Sequence, residues 1–455
     1  MALRDPHAIV ADAPALAQRT GLSRAVVEEL SYLKGEPEWV RRRRFAAWEA
    51  FEAKPMPRWR RTSLARLNLD AFVPFHPPSG APADTSQLPA DLRKVIARDS
   101  ERAGLFVHRN SSDATVLLDA EWLEQGVILT DLDTAVREYP DLVEPYLMGD
   151  AFTLVGTGHH DQTKFEALNG ALWSGGMFLY VPENVWIDKP IQGVFWADVP
   201  GLAIFPHTLI VTGPNSGVTY VEESRSPGGP SETLVNGITE IYTQPGSQVN
   251  FLSVQAWADN VLSFSSRRAV TGQDSAVNWT MGAIGAGLSR ELVETRLVGV
   301  GSSTDIVGVF FLDGRQHHDT YTLMNHIAPF TTGDLLFKGA LQDRSRAVFE
   351  GLIKIHPGAQ NVASYLHEKT LVLSDSARAD AIPSLEIEAN EVRASHGVTI
   401  SKVDPEQLFY LMARGLPKRE ATRLIVNGFF DPVMERIPLE SVREHLRAEI
   451  SDKVK

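Results

Sequence analysis

The distribution of hydrophobic and polar positions divides the chain into three regions. Residues 1–150 mix helical spacing with short strand-like runs, as in the aromatic-rich stretch that follows Glu36-Pro37-Glu38. From 151 to 400, short apolar runs alternate with Gly, Pro, Asn, Asp and Ser, a pattern typical of strands joined by turns. Residues 401–455 return to helical spacing. We therefore expect an N-terminal helical and mixed region at 1–150, a β region at 151–400 and a C-terminal helical domain at 401–455.

A faint repeat runs through the β region. Turn-then-strand units recur with the letters SQVNF, SAVNW, SSTDI and TTGDL. When their fourth residues are aligned, subtraction gives separations of 28, 27 and 29 residues between Asn250, Asn278, Asp305 and Asp334. A repeat of this length favours a solenoid over a sandwich, because each coil of a solenoid buries its apolar face on the next coil. The fold class predicted is mainly β, a parallel β-helix flanked by helical regions at both ends.

Three helices are predicted after the β region. Asp404 has the position of an N-cap, Pro405 opens the first helix, and Gly415 ends it. A second helix begins at Pro417 and a third at Pro438. The spacing of the second helix predicts one packing face, formed by Ala421, Leu424, Ile425 and Phe429. Such helices can protect the open end of a solenoid or form a docking surface, and the two roles are compatible.

Composition and charge exclude several classes of protein. The chain contains no cysteine, so it can form no disulfide and offers no thiolate for catalysis or metal binding. Its formal net charge of −13 argues against nucleic acid or an anionic membrane as a main partner. No apolar run is long enough to span a bilayer, and acids interrupt the N-terminal stretch where a secretory signal would be apolar. We expect a cytoplasmic protein.

The chain carries few motifs for chemistry. It has neither a G-x-x-x-x-G-K-[ST] phosphate loop nor a G-x-S-x-G elbow, so it is not itself an ATPase or a hydrolase of those types. His317 and His318 are adjacent, and neighbouring residues on a strand face opposite sides. They could bind one metal ion together only if they lay in a turn, so with His326 they are a poor candidate for a metal site. His396 lies at the border between the β region and the helices. It either hydrogen-bonds a coil corner or belongs to a functional site.

Three long segments carry a resemblance to a known family. They are Lys164–Gln192 (KFEALNGALWSGGMFLYVPENVWIDKPIQ), Gly351–Val372 (GLIKIHPGAQNVASYLHEKTLV) and Glu391–Leu416, which contains SHG and LFYL. Together they resemble the SufB/SufD family of iron–sulfur cluster assembly scaffold proteins. The resemblance implies a right-handed parallel β-helix. It also implies that SufB and SufD pair through their β-helices, and that each binds one SufC ATPase through its C-terminal helices.

Three positions indicate which branch of the family the chain resembles. The SufB cysteine aligns near Ala377, and Gly397 replaces the acid that follows the SufB histidine, whereas the histidine itself is kept as His396. This pattern is similar to the SufD branch. It implies a scaffold subunit, not an enzyme, in which His396 helps to hold a nascent iron–sulfur cluster transiently at the SufB–SufD interface. A chain without thiols cannot accept persulfide sulfur, but it can supply an imidazole to iron.

The resemblance also implies a docking surface for the SufC ATPase on the C-terminal helices. ATP-driven pairing of two SufC subunits would pull on these helices and rearrange the SufB–SufD interface. The contact residues expected are Leu408, Phe409, Tyr410, Arg414 and Phe429. We expect no cofactor on this chain alone, and reduced flavin in the assembled complex. Two alternatives stay open: a SufB-like scaffold that forms a homodimer, and a β-solenoid enzyme acting on polysaccharide, against which the scattered acids argue.

Overall fold

Apolar runs separated by turns form strands stacked in two sheets. The computed structural model describes residues 19–78, 85–149, 163–437 and 440–454. Its strands are β1 (Gly104–Arg109), β2 (Asp113–Leu118), β3 (Ile128–Asp131), β4 (Gly175–Val181), β5 (Ile191–Trp196), β6 (Ala203–Ile204), β7 (Pro206–Thr212), β8 (Gly217–Arg225), β9 (Thr233–Thr243), β10 (Gln248–Ala256), β11 (Val261–Thr271), β12 (Ala276–Ala283), β13 (Leu288–Leu297), β14 (Ser303–Leu312), β15 (His317–His326), β16 (Thr332–Leu341), β17 (Arg346–Ile355), β18 (Val362–Val372), β19 (Arg378–Ile387) and β20 (Val392–Lys402).

Helices flank these strands on both sides along the chain. The α-helices are α1 (Arg24–Leu33), α2 (Glu38–Ala53), α3 (Ala90–Val95), α4 (Ala120–Glu124), α5 (Leu132–Glu138), α6 (Pro140–Val143), α7 (Thr163–Leu172), α8 (Pro405–Ala413), α9 (Lys418–Met434) and α10 (Glu440–Lys453). Short 3-10 turns are found at Leu69–Ala71, Thr85–Gln87 and Asp99–Glu101. Within the described residues, no helix combines the length and the apolar character needed to cross a membrane.

The two sheets wind into a solenoid of about eight turns. The first sheet runs in the order β2-β1-β5-β8-β10-β12-β14-β16-β18-β20, and the second in the order β19-β17-β15-β13-β11-β9-β7-β4-β3. From β7 to β20 successive strands alternate between the sheets, and the pairing is parallel except for β1 with β2 and β3 with β4. The predicted parallel β-helix is confirmed.

The repeat in the sequence corresponds to one coil. Asn250 pairs with Asn278, Asn278 with Asp305, and Asp305 with Asp334, on β10, β12, β14 and β16 in turn. The Asn278 side-chain amide donates to Asn250 Oδ1 over 3.0 Å, and the Asp305 backbone N–H donates to Asn278 Oδ1 over 3.2 Å. The spacing between repeats is therefore the chain length of one coil.

The predicted boundary at residue 150 lies outside the described residues. The two sheets begin before it, because β1, β2 and β3 of the N-terminal region already belong to them. From Val181 to Ile400 the chain contains no helix, as the sequence predicts. The last strand ends at Lys402, next to the predicted border of the C-terminal helices.

The N-terminal helices cover the first turns of the solenoid. Phe165 of α7 stacks on Phe264 of β11 with ring centroids 4.1 Å apart, and Trp59 stacks on both rings. Arg44 of α2 is fully buried, pairs with Glu36, and donates to two backbone carbonyls. A buried, multiply bonded ion pair of this kind fixes the helices in one position on the sheet.

The C-terminal helices begin as the sequence predicts. The Asp404 carboxylate accepts from the Glu406 N–H at 2.8 Å, Pro405 opens α8, and Gly415 follows the helix with φ of +96°. The third predicted helix is present as α10, although the predicted start at Pro438 lies outside the described residues. α9 and α10 pack on the first sheet by their buried apolar side chains, Val426, Phe430, Val433, Val442, Leu446 and Ile450.

The predicted packing face of α9 is wrong in part. Ala421 is buried, but Leu424 is 55% exposed, while Ile425 and Phe429 are only half-buried. α9 is apolar on more than one side, so periodicity alone cannot say which side meets the solenoid. The side of α9 that carries Phe430 packs on the sheet, and Leu424 stays at the surface.

Candidate functional site

The last coil of the solenoid, β19 and β20, has no further coil against it. Both strands end their sheets, so each has one unpaired edge. None of the residues of either strand is fully buried, whereas every second residue from Val362 to Thr370 on β18 is buried. We call this surface the open end. Its exposure follows from the architecture, because a coil is covered only when another coil stacks on it.

His396 lies on the inner row of this last coil. It pairs directly with Leu366 of β18, which is fully buried in the solenoid core. Directly paired residues in a sheet share a face, so His396 lies on the face that every preceding coil buries. His396 is nevertheless exposed. The predicted site histidine is therefore an inward-facing residue of a coil that lacks its cover.

The surroundings of His396 on the last coil are mainly apolar. Val392 and Ala394 of β20, and Ala379 and Leu385 of β19, are partly buried against the core. Two larger side chains of the same rows, Ile387 and Ile400, are 41% and 44% exposed. Exposed aliphatic side chains at the end of an apolar core are typical of a surface that another protein covers.

The two positions by which the chain resembles the SufD branch more than the SufB branch also lie on the last coil. Ala377 lies in the turn before β19, and its backbone N–H donates to the Ser374 carbonyl over 3.1 Å. Gly397 follows His396 and pairs with His367, so it belongs to the outer row. A Cβ atom at Gly397 would lie 3.2 Å from His367 Nδ1. An acid at this position would thus start from the face of the strand opposite to His396.

A buried carboxyl group, which the sequence analysis missed, lies one coil below the open end. Glu368 of β18 follows Leu366 on the same inner row and is only 1% exposed. The Thr370 hydroxyl donates to Oε1, while Oε2 is buried without a hydrogen bond among the described residues. Burial raises the pKa of Glu368 to about 7, and the Thr370 bond opposes this rise. The sequence around Glu368 does not indicate that this residue is buried, because its burial depends on strand register.

The predicted docking residues do not form one surface. α8 has no buried residue, and on it Phe409 is 73% exposed and Tyr410 is 57% exposed. The Arg414 guanidinium lies 5.1 Å from the centre of the Tyr410 ring and donates to its hydroxyl at 3.1 Å. Leu408 is half-buried on the same helix. Four of the five predicted residues thus lie together on or beside α8.

Phe429, the fifth predicted docking residue, lies elsewhere, against the solenoid. Lys338 of β16 donates to the Phe429 carbonyl at 2.7 Å, and its ammonium lies 4.9 Å from the centre of the Phe429 ring. Other apolar side chains of this part of the chain are exposed as well: Met412 on α8, Leu416 just after it, and Leu424 on α9. Met412 and Leu416 are recognisable as apolar residues of the predicted first helix and its end.

The other histidines considered from the sequence are dispersed. His317 Nε2 lies 2.8 Å from the Thr62 hydroxyl, and His318 Nε2 lies 2.5 Å from the Gly285 carbonyl oxygen. Burial lowers the pKa of His317 and of His326 to about 4, and that of His318 to about 3. Among the described residues there is no group of three or more metal-ligating side chains.

The fold and the open end define the class of this protein. It is a parallel β-solenoid with helical regions at both ends and an uncovered last coil. Two family models match the chain, the SufBD protein N-terminal region at residues 28–193 and the SufBD core domain of the SUF iron–sulfur cluster assembly system at residues 195–429. The chain belongs to the SufBD family. This assignment leaves the polysaccharide-enzyme alternative without support.

Relatives agree with the family assignment over nearly the whole chain. The chain is 34% identical over 441 residues to the iron–sulfur cluster assembly protein SufD of Bacillus subtilis, covering 97% of this chain and 100% of the relative. SufBD family proteins of Staphylococcus saprophyticus and Staphylococcus haemolyticus are each 30% identical over 428 residues, covering 92% of this chain and 90% of each relative. The chain is thus a SufD homologue within a family of iron–sulfur cluster assembly proteins.

Proposed function

We propose that the chain is a non-catalytic scaffold subunit for iron–sulfur cluster assembly. It would pair with a cysteine-bearing SufB subunit through the open end and bind the SufC ATPase through its C-terminal helices. The observation that carries the proposal is the uncovered inner row of the last coil, with His396 on it. A cytoplasmic location fits this role.

Pairing through the open end has a direct physical reason. Ile387 and Ile400 continue the rows that are buried in earlier coils, so covering them removes apolar surface from water. The free edges of β19 and β20 also offer unpaired backbone groups for hydrogen bonding to another strand. A partner with its own uncovered last coil supplies both kinds of contact. SufB is the expected partner, and a second copy of this chain is the alternative in its absence.

His396 is the group that we expect to touch the nascent cluster, which is the cargo of the complex. Iron in such clusters is held mainly by thiolates, and this chain has none. An imidazole binds iron in its neutral form and can complete a site whose sulfur ligand comes from the partner. The apolar neighbours of His396 on the last coil would keep water from the cluster once the partner is in place.

Docking of the ATPase is supported by the surface of α8. Phe409 and Tyr410 are large exposed side chains on a helix that buries nothing in this chain. Aromatic residues often dominate the binding energy of protein interfaces. α9 and α10 are anchored to the solenoid, so a force applied to α8 would be transmitted to the coils. This arrangement fits an ATP-driven rearrangement of the open end.

The role of His396 can be tested by reconstituting the chain with SufB and SufC. We expect His396→Ala to reduce cluster yield severely while the three subunits still co-purify. His367→Ala is the matched control, because His367 is exposed on the outer row of the neighbouring coil and should leave the yield unchanged. Equal yields for wild type and His396→Ala would remove His396 from the site.

Pairing can be tested with a charge on either side of β20. Ile400→Asp places a carboxylate on the inner row and should weaken capture of SufB by at least about tenfold, because the charge would be buried in an apolar interface. Thr399→Asp places the same charge on the outer row and should have little effect. For the isolated chain, sedimentation should show whether Ile400→Asp also abolishes self-association. If both variants capture SufB as well as wild type does, pairing does not use the inner row.

Docking can be tested on α8 without disturbing the fold. Phe409→Ala combined with Tyr410→Ala should weaken capture of SufC by at least about tenfold, since loss of aromatic anchors typically costs about 2 kcal/mol or more. Gln407→Ala, on the same exposed helix, is the control and should bind normally. Undiminished capture by the double variant would place the ATPase on another surface.

A further inference from the structure

The inner face of the last coil is lined by small side chains. Ala379 and Ala381 of β19 and Ala394 of β20 pair with buried positions of the preceding coil and are themselves only half-buried. An alanine side chain ends at its Cβ atom, so these three positions leave room for a guest at the open end. We call this space the cup. The covered coils fill the same interior with larger side chains, Phe337, Phe349 and Leu366.

The carboxyl group of Glu368 lies at the floor of the cup. On the inner row of β18, Glu368 pairs with Phe337 on one side and with Val398 of the last coil on the other. Its side chain is only 1% exposed and forms no ion pair with any described residue, and its Oε2 atom has no hydrogen bond among them. Carboxylates are almost never fully buried unless a cation or hydrogen bonds compensate them. Within the described part of the chain, Oε2 is thus left to a ligand.

Glu368 and His396 are close enough to bind one ion between them. Leu366 pairs with His396 and Glu368 pairs with Val398, so Glu368 and His396 are diagonal neighbours on paired strands. Diagonal neighbours have Cα atoms about 8 Å apart, a distance that long side chains can bridge. Both residues belong to the inner row, so both side chains are directed into the same space. The cup therefore has an imidazole at its rim and a carboxyl group at its floor.

We propose that Glu368 is a second iron-binding group of this chain, and that with His396 it holds ferrous iron in the cup before sulfur arrives. This role rests on the proposed function, since the partner must cover the cup and bring the sulfur ligand. Imidazole nitrogen and carboxylate oxygen are donor types of ferrous sites in proteins, whereas thiolates hold the iron of finished clusters. The ion neutralises the buried carboxylate, and water or the partner fills the remaining coordination positions.

A site with two protein donors suits iron that is held only for a time. Two donors bind an ion less tightly than a full set of thiolates does, and this chain has no cysteine to complete such a set. Iron held by Glu368 and His396 can therefore pass to the partner's thiolate and to sulfide as the cluster grows. The cup is the place where the first iron would be positioned against the sulfur that the partner carries.

Metal binding by the purified full-length chain tests the role of Glu368 directly. Without oxygen, the wild-type chain should bind one Fe²⁺ in equilibrium dialysis, and Co²⁺ in its place should give a visible absorption band. Glu368→Gln and His396→Ala should each weaken Fe²⁺ binding by at least about tenfold. His367→Ala is the matched control, because His367 is exposed on the outer row of β18, and it should bind Fe²⁺ as wild type does.

Glu368→Gln also separates an iron ligand from a group that only supports the fold. The amide keeps the size of the side chain and removes its charge, so thermal unfolding should show a variant at least as stable as wild type. Weaker Fe²⁺ binding by such a stable variant is the expected result. The role of Glu368 is overturned if Glu368→Gln binds Fe²⁺ as tightly as wild type does, or if the wild-type chain binds no Fe²⁺ at about 1 mM.

Reconstitution with SufB and SufC distinguishes this role from the proposed function. A complex with Glu368→Gln should give a low cluster yield when Fe²⁺ is limiting and recover most of that yield in an excess of Fe²⁺. A yield equal to that of wild type at limiting Fe²⁺ would overturn the role of Glu368 and leave the scaffold function standing. If the wild-type complex itself forms no cluster, the scaffold function and the role of Glu368 fail together.

Discussion

At the first turns of the solenoid all seven residues of β7 are buried, whereas at the last turn no residue of β20 is buried. β20 is the more polar strand of the two, yet its inner row still carries the apolar residues Val392, Ala394, Val398 and Ile400. The difference lies in what covers them: the N-terminal helices pack over the first coils, but no coil follows β20. In a solenoid, the burial of a strand depends on the coil or helix that packs against it. The open end is the place where the proposed partner would cover the last coil.

The largest effect is expected in the covered turns. Phe264→Ala should lower the free energy of unfolding by about 3–5 kcal/mol, because it opens a cavity between Phe165 and Trp59 that the core cannot fill. Ile387→Ala, on the last coil, should cost only about 1 kcal/mol in the isolated chain, since that side chain is already 41% exposed. Denaturant titration measures both. Similar costs would mean that the two ends are equally covered.

A pH-dependent effect is expected one coil below the open end. Burial raises the pKa of Glu368 to about 7 from its ordinary value of 4.5, so burial destabilises only the ionised form of this carboxyl group. This destabilisation is absent below the unfolded pKa, grows as pH rises from about 4.5 to about 7, and is complete above about 7, at about 3 kcal/mol. Glutamine stays neutral, so Glu368→Gln should gain that stability relative to wild type between pH 4.5 and pH 8.

Thermal and denaturant unfolding at several pH values measure the effect of Glu368→Gln. Glu391→Gln, an exposed change in the loop of the last coil, is the control and should leave the pH dependence of wild type unaltered. A Glu368→Gln variant whose stability follows that of wild type at every pH would show that this carboxyl group is hydrated. The solvent-accessible region at the open end would then extend one coil further into the solenoid than the structure indicates.

The smallest effect is expected at an exposed ion pair between the solenoid and the residues that directly follow α9. Arg436 pairs with Asp305 at 2.6 Å, with both side chains more than 40% exposed. Arg436→Gln should change the free energy of unfolding by less than about 1 kcal/mol, because water screens an exposed pair. Phe430→Ala, at a side chain only 1% exposed, should cost about 3–5 kcal/mol. If the two variants cost the same, α9 is held by its ion pair and not by packing.

The repeat was predictable because its signal is local. Asn250, Asn278, Asp305 and Asp334 occupy the same strand position in four successive coils, and Asn278 hydrogen-bonds the residue on either side of it. The start of α8 was predictable for the same reason, since Asp404 and Pro405 act within one turn of the helix. Four of the five predicted docking residues lie together on or beside α8, again because they share one short helix.

Other features depend on parts of the chain that are far apart in sequence. Arg44 belongs to a run of four arginines typical of a solvated face, yet it is buried on Glu36. Leu424 has the spacing of a packing residue but is exposed, because the sheet meets another side of α9. The burial of Glu368 has no sequence signal, since strand register brings its neighbours together.

The sequence by itself determined the coil length, the strand-to-helix border, the absence of thiols and the family. These are properties of short segments or of composition, and local physical chemistry is enough to read them. The tertiary structure decided that His396 is an inner-row residue, that Glu368 is buried, and which side of α9 packs on the sheet. Burial and side-chain direction depend on which distant strand becomes the neighbour, and only the folded chain sets that choice.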